Sequence, residues 1–100
     1  MRVEIRISAP LIYWRGPSPF HFITVPPKES AKIKTFSRQI TYGWGVIPVQ
    51  CHVGNTRFTT SLFPRDSVYL IPIKTAVRNS EQLEIGDRVT VALTFNLGQE

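Results

Sequence analysis

Cys51 and His52 are adjacent, and a thiol beside an imidazole is the first pair in this chain that could do chemistry. Around them, Ile47, Val49, Cys51 and Val53 alternate with Pro48, Gln50 and His52, the period of a strand. Alternation sends neighbours to opposite faces, so Cys51 and His52 cannot form a nucleophile–base dyad with each other. Cys51 shares its face with aliphatic residues and reads as a small buried hydrophobe. Ser61 precedes Leu62-Phe63-Pro64 and lacks the Gly-x-Ser-x-Gly elbow that exposes a nucleophile. No histidine, cysteine or carboxylate stands at i, i+4 or Cys-x-x-Cys spacing from a second ligand, so neither a metal nor a cofactor is expected. His21 could meet His52 only if their strands paired; a surface or boundary histidine is the simpler expectation. Gly43-Trp44-Gly45 sets a bulky ring between its glycines and lacks a phosphate loop's lysine and hydroxyl. Asp66, Glu81, Glu84 and Asp87 fall in or beside turns and at exposed helix ends, where solvation is expected.

What remains is a basic, aromatic-rimmed set. Trp14, Arg15, Trp44, Arg65, Lys74 and Arg78 all fall at strand ends, turns or a helix start, where a rigid frame fixes functional groups. Arg holds a carboxylate or phosphate bidentately, and a tryptophan beside it offers a stacking face. With Ser61 added, these are the expected ligand-binding residues, with no catalytic residue among them. The competing reading makes both tryptophans core or cap residues and leaves the cations merely solvated.

The charge distribution points the same way. Twelve Lys and Arg against seven Asp and Glu give +5. Between Lys28 and Arg78 stand Lys28, Lys32, Lys34, Arg38, Arg57, Arg65, Lys74 and Arg78, against only Glu29 and Asp66. Such a stretch attracts acidic partners: an anionic metabolite, an acidic protein or nucleic acid. A modest positive charge also serves plain solubility.

The elements that must position these residues are short. One hundred residues imply one domain, residues 1–100, large enough to bury a core unaided. Apolar and charged fractions of 42% and 19% are ordinary for a globular protein. No apolar run approaches the roughly 20 residues that span a bilayer. Met1 to Ile7 alternates charged with apolar residues and so does not read as a secretory signal. One cysteine allows no internal disulfide, and a reducing, cytoplasmic home without membrane contact is expected.

Arg2 to Ile7 alternates as a half-buried strand, Pro10 interrupts it, and Leu11 to Trp14 is apolar on both sides. Arg15 to Pro19 is a loop, and Phe20 to Val25 a second β run. Pro27 suits a first helical turn, and Lys28 to Gln39 is helical, with Ile33, Phe36 and Ile40 on one face. Val46 to Val53 and Thr56 to Phe63 flank a tight turn at Gly54-Asn55. Pro64 to Ser67 turns again. Tyr69 to Pro72 is a strand, an amphipathic helix starts near Lys74, and Gly86-Asp87 leads into a strand with Val89, Val91, Leu93 and Phe95 on one face. Asn96 to Glu100 reads as frayed. The run Phe22 to Pro26, helix, glycine turn, Val46 to Val53 parallels Tyr69 to Pro72, helix, Gly86-Asp87, Val89 to Phe95. Neither unit closes a core alone, so two tandem copies covering each other are expected.

The second unit resembles the swapped-hairpin motif of AbrB/SpoVT-type and MazE-type domains through Ile71, Pro72, Arg78, Leu83, Gly86, Asp87, Val89 and Val91, with slightly long spacing between Arg78 and Leu83. A wider resemblance rests on Trp14 to Phe20, Gly43-Trp44-Gly45-x-Ile47-Pro48-Val49, Thr60 to Pro64 and Tyr69-Leu70-x-Pro72-x-Lys74-x-Ala76-Val77-Arg78. These blocks are similar to a small bacterial family of unknown function. That resemblance implies a double-split β-barrel, in which one chain carries both halves that AbrB-type proteins supply as a dimer. Some members are fused to a YdeI/OmpD-associated domain.

The expected fold is mainly β: a pseudo-barrel of six to seven strands from two half-units, with two short helices. The leading functional expectation is a non-enzymatic module that binds an anionic small molecule or acidic partner. DNA binding in the AbrB manner, as a regulator or antitoxin-like protein, is the alternative that the second resemblance implies. An enzyme of unknown type is the third; it would need an acid–base group with a shifted pKa in a pocket, and Ser61, Lys74 and Arg78 around one cavity would favour it. The sequence leaves monomer and homodimer open.

Overall fold

The computed structural model describes residues 1–16, 20–39 and 45–97. Its elements are β1 (Arg2–Trp14), β2 (Phe20–Thr24), α1 (Pro27–Phe36), β3 (Ile47–Val53), β4 (Thr56–Arg65), β5 (Val68–Ile73), α2 (Thr75–Glu81) and β6 (Arg88–Asn96). A 3-10 turn, Ser37–Gln39, follows α1. The six strands among the described residues close into a barrel in the order β1-β2-β5-β4-β3-β6, antiparallel at each pairing. Closure removes the exposed strand edges that an open sheet of this size would carry.

The barrel order explains the tandem pattern of the sequence. Exchanging β1 with β4, β2 with β5 and β3 with β6 maps the ring onto itself. Each half is therefore strand–strand–helix–strand. Two of the three equivalent pairs meet, β2 with β5 and β3 with β6, with Ile23 opposite Ile71 and Cys51 opposite Leu93. All four residues are buried.

Two long strands stitch the ring. β1 pairs with β6 through Arg2 to Pro10 and with β2 through Leu11 to Trp14. β4 pairs with β3 through Thr56 to Leu62 and with β5 through Phe63 to Arg65. The sequence expectation of a break at Pro10 is thereby corrected: β1 runs through it. Proline offers no N–H, and this one stands where the strand changes partners. Likewise β4 continues through Pro64 to Arg65, and the turn is only Asp66-Ser67, both at positive φ (50° and 71°). That pair of left-handed residues is the geometry of a tight hairpin. Asn96 and Leu97, expected to fray, are instead held: Asn96 pairs with Arg2, and Leu97 N donates to Met1 O at 2.7 Å.

Core residues follow the strand period. Ile5, Ile7, Ala9 and Leu11 of β1 face Val89, Val91, Leu93 and Phe95 of β6 and the Ile47, Val49, Cys51 and Val53 row of β3. α1 adds Ile33 and α2 adds Val77. Helix α1 ends at Phe36, and Ile40 lies outside the described residues. Beyond Thr24 the β2–β5 ladder is prolonged by a side chain. Buried Ser30 donates from Oγ to Val25 O at 2.9 Å and accepts from Tyr69 N at 3.1 Å. Leaving either backbone group unpaired in the core would cost about 1–3 kcal/mol. The turn after α2 docks on β1: Gly86 N donates to Leu11 O and Leu11 N to Asp87 O, at 2.8 and 2.9 Å. Gly86 has φ +95°, open to glycine but strained for other residues.

Candidate functional site

β1, β2, β5 and β4 bring their ends together on one side of the barrel, and strand alternation there produces two clusters back to back. The outward face carries Ile12 and Trp14 of β1, Phe20 and Phe22 of β2, Pro72 of β5 and Phe63 of β4. Phe20 is the hub. Its ring centroid lies 5.6 Å from Trp14, 5.2 Å from Phe22 and 5.6 Å from Phe63, at tilted or edge-on angles. Such geometry adds attraction beyond buried area. Phe22 and Leu70 are buried here, yet neither belongs to the barrel core. The patch is thus a second, external hydrophobic cluster whose outermost members, Ile12 and Trp14, remain 39% and 38% exposed.

Arg65 completes it. Its guanidinium carbon stands 5.1 Å from the Trp14 ring centroid, a cation–π contact. Its Nε lies 3.8 Å from Asp66, but that carboxylate is almost wholly exposed and the pair is weak. The arginine fork is therefore held by the ring and placed to donate to a carboxylate or phosphate. Gly16 permits this arrangement. A Cβ at position 16 would sit 2.6 Å from Trp14 Cζ2, so only glycine lets the indole lie against that backbone.

The inward side of the same corner is polar. Tyr13 and His21 are cross-strand partners with ring centroids 4.8 Å apart. Arg78 of α2 approaches them. Burial first, and then the Arg78 charge, hold His21 below the usual imidazole range. Arg78 Nη2 lies 3.4 Å from Thr75 Oγ1, while its buried Nε has no hydrogen-bond partner. The tandem symmetry explains the position: Ser30 and Arg78 are the fourth residues of α1 and α2, with backbone N–H groups bonded to Pro26 O and Lys74 O. The first half fills that place with a paired hydroxyl, the second with a cation.

Of the residues expected from sequence, Trp14 and Arg65 are in contact, and Arg78 lies on the opposite face of the same corner. Arg15 is exposed just beyond β1, and Lys74 is the exposed N-cap of α2. Ser61 projects outward from β4 opposite Pro48, two residues before Phe63 on the same face. Trp44 lies outside the described residues. Phe20, Phe63, Tyr13 and His21 were missed; the strand alternation of Phe20-His21-Phe22 was the signal, since it puts two rings on one face. His21 and His52 do not meet, because β2 and β3 are not neighbours.

Two carboxylates expected to be solvated are instead acceptors. Glu81 accepts from Asn55 N at 3.1 Å and from Thr56 Oγ1 at 2.5 Å, and Asp87 accepts from Glu84 N at 2.9 Å. Burial pushes the Cys51 thiol up to about 12, which keeps it protonated and inert. Among the described residues no group of three His, Cys, Asp or Glu could hold a metal ion, and no helix is long and apolar enough to cross a membrane. The larger surface hollows lie elsewhere, over β3, β4 and β6. Neither holds a tryptophan beside an arginine, so the Trp14 corner is the better match to the chemistry expected from sequence.

A family model described as a domain of unknown function, DUF1905, matches residues 8–93. No curated protein and no solved structure matches the chain.

Proposed function

Since the chain belongs to the DUF1905 family, domains of unknown function, its role has to be inferred from its own surface, and we propose a ligand-binding module. The ligand carries a carboxylate or phosphate on an apolar or ring-shaped body. The observation that carries this reading is Arg65 stacked on Trp14 within an outward aromatic cluster. The guanidinium fork takes the anion, and Trp14, Phe20 and Phe63 take the body. Burying the exposed part of two large side chains supplies about 1–2 kcal/mol each, and a charge-assisted bond to Arg65 about 1.5–3. An acidic protein segment that presents a carboxylate beside an apolar residue satisfies the same chemistry.

The test is a fluorescence titration of the intact chain with aryl phosphates, aryl carboxylates and nucleotides, using Trp14→Phe to assign the signal. Saturable quenching that Arg65→Gln weakens about tenfold is expected. A flat response to every probe, or equal affinity in Arg65→Gln, would rule the reading out.

One observation favours a second reading, contact with nucleic acid. Lys28, Lys32, Lys34 and Arg38 are all exposed on α1 and its 3-10 turn, with Glu29 the one acid among them. These are phosphate contacts, and binding through them falls steeply with salt. An electrophoretic shift absent at low salt would exclude it.

A further inference from the structure

The four-strand face on the far side of the barrel carries a row of residues that the sequence hides. Arg6 is opposite Ala92, Ala92 is opposite His52, and His52 is opposite Arg57. These registers line the four residues up across β1, β6, β3 and β4, all pointing outward. Arg6, His52 and Arg57 are exposed. None makes an ion pair or side-chain hydrogen bond among the described residues. The methyl group of Ala92 cannot fill the space between long neighbours on strands roughly 10 Å apart. A hollow of about 200 Å³ results, lined by Arg6, His52, Gly54, Thr90 and Ala92. It continues at His52 into a second hollow of about 360 Å³ whose lining includes Arg57, Gln50, Thr59 and Thr94.

We propose that this row is an oxyanion site for a phosphorylated sugar or polyol, separate from the Trp14 corner. The phosphate sits over Ala92. Arg6 reaches it from one side and His52 from the other, the Thr90 hydroxyl donates from the end of the hollow, and Arg57 lines the adjoining hollow. A guanidinium fork on an anion gives charge-assisted bonds, the strong class of hydrogen bond, and Arg57 adds positive charge next to it. The attached body lies along Gln50, Thr59 and Thr94. Phe58 also borders this hollow, but it pairs with buried Cys51 and packs against the core, so the outward side chains of that floor are hydroxyls and an amide, which match a polyhydroxy compound. Glu4, opposite Thr94, lies one row away, and the Glu81 carboxylate that packs against Gly54 is already engaged by Asn55 N and Thr56 Oγ1.

The test uses the intact protein with glucose 6-phosphate and inorganic phosphate, followed by the ring resonances of the two histidines. His52 reports this site and His21 the opposite corner. Glucose 6-phosphate is expected to move His52 saturably while His21 stays still, with inorganic phosphate moving the same resonance more weakly. Ala92→Leu fills the hollow without changing charge, and Arg6→Gln removes one fork. Each is expected to weaken binding about tenfold or more, while Arg65→Gln leaves it unchanged. Equal shifts from sulfate at matched ionic strength, parallel movement of His21, or full affinity in a folded Ala92→Leu or Arg6→Gln protein would overturn the proposal. Loss of the Trp14 fluorescence response leaves this result untouched, so the two sites fail separately.

Discussion

Arg78 occupies a place where the first half of the molecule needs only a hydroxyl. Its Nε is buried and unpaired, and its charge bears on His21. A histidine whose folded value is depressed favours the neutral form. Its contribution to stability is therefore complete above the unfolded value of about 6.5 and is lost as pH falls through the folded value. Arg78→Met should raise the His21 midpoint part-way, since the effect of burial remains, and should flatten the fall of stability in that acid range. NMR titration of the His21 ring and urea unfolding at two pH values measure both. At neutral pH the variant should be as stable as wild type or about 1 kcal/mol more so, because an orphaned donor is removed. An unmoved midpoint would separate Arg78 from His21. Sequence marked Arg78 as a candidate by its position at a helix start. It could not show the buried Nε, because burial depends on the barrel wall that α2 meets.

At the scale of elements, the β3–β4 hairpin and α2 are locked together through one carboxylate. Gly54 has φ +55°, and a Cβ there would collide with the Glu81 carboxylate that accepts from Asn55 and Thr56. Gly54→Ala should cost about 1–2 kcal/mol from backbone conformation alone. It should cost about 1 kcal/mol more for each Glu81 bond displaced. In a Glu81→Ala background only the conformational part should remain, so a double-mutant cycle by urea unfolding should show coupling of about 1 kcal/mol or more. Equal cost in both backgrounds would mean that Glu81 keeps its bonds. The Gly-Asn turn was legible, because a left-handed residue between two alternating runs is a local signature. Glu81 as its partner was not, since it lies far along the chain on another element. The two prolines tell the same story. Pro10 and Pro64 read as breaks by local rules, and the strands continue because each lies where β1 or β4 changes neighbours.

At the scale of the molecule, each half presents an apolar face that only the other half covers. Cutting between Gly54 and Asn55 should give two fragments that show no cooperative unfolding alone and regain the near-ultraviolet spectrum of the intact chain on mixing. A fragment that unfolds cooperatively as a monomer would defeat the tandem reading of the fold. The amino-acid sequence by itself determined the strand faces, the glycine turns, the tandem order and the basic middle stretch. These follow from side-chain period, backbone sterics and charge count, which act between near neighbours. Only the tertiary structure decided the ring order, the external aromatic cluster, Arg65 on Trp14 and the row through Ala92. Those depend on which strands lie side by side and in what register, and a register joins residues tens of positions apart that no local period connects.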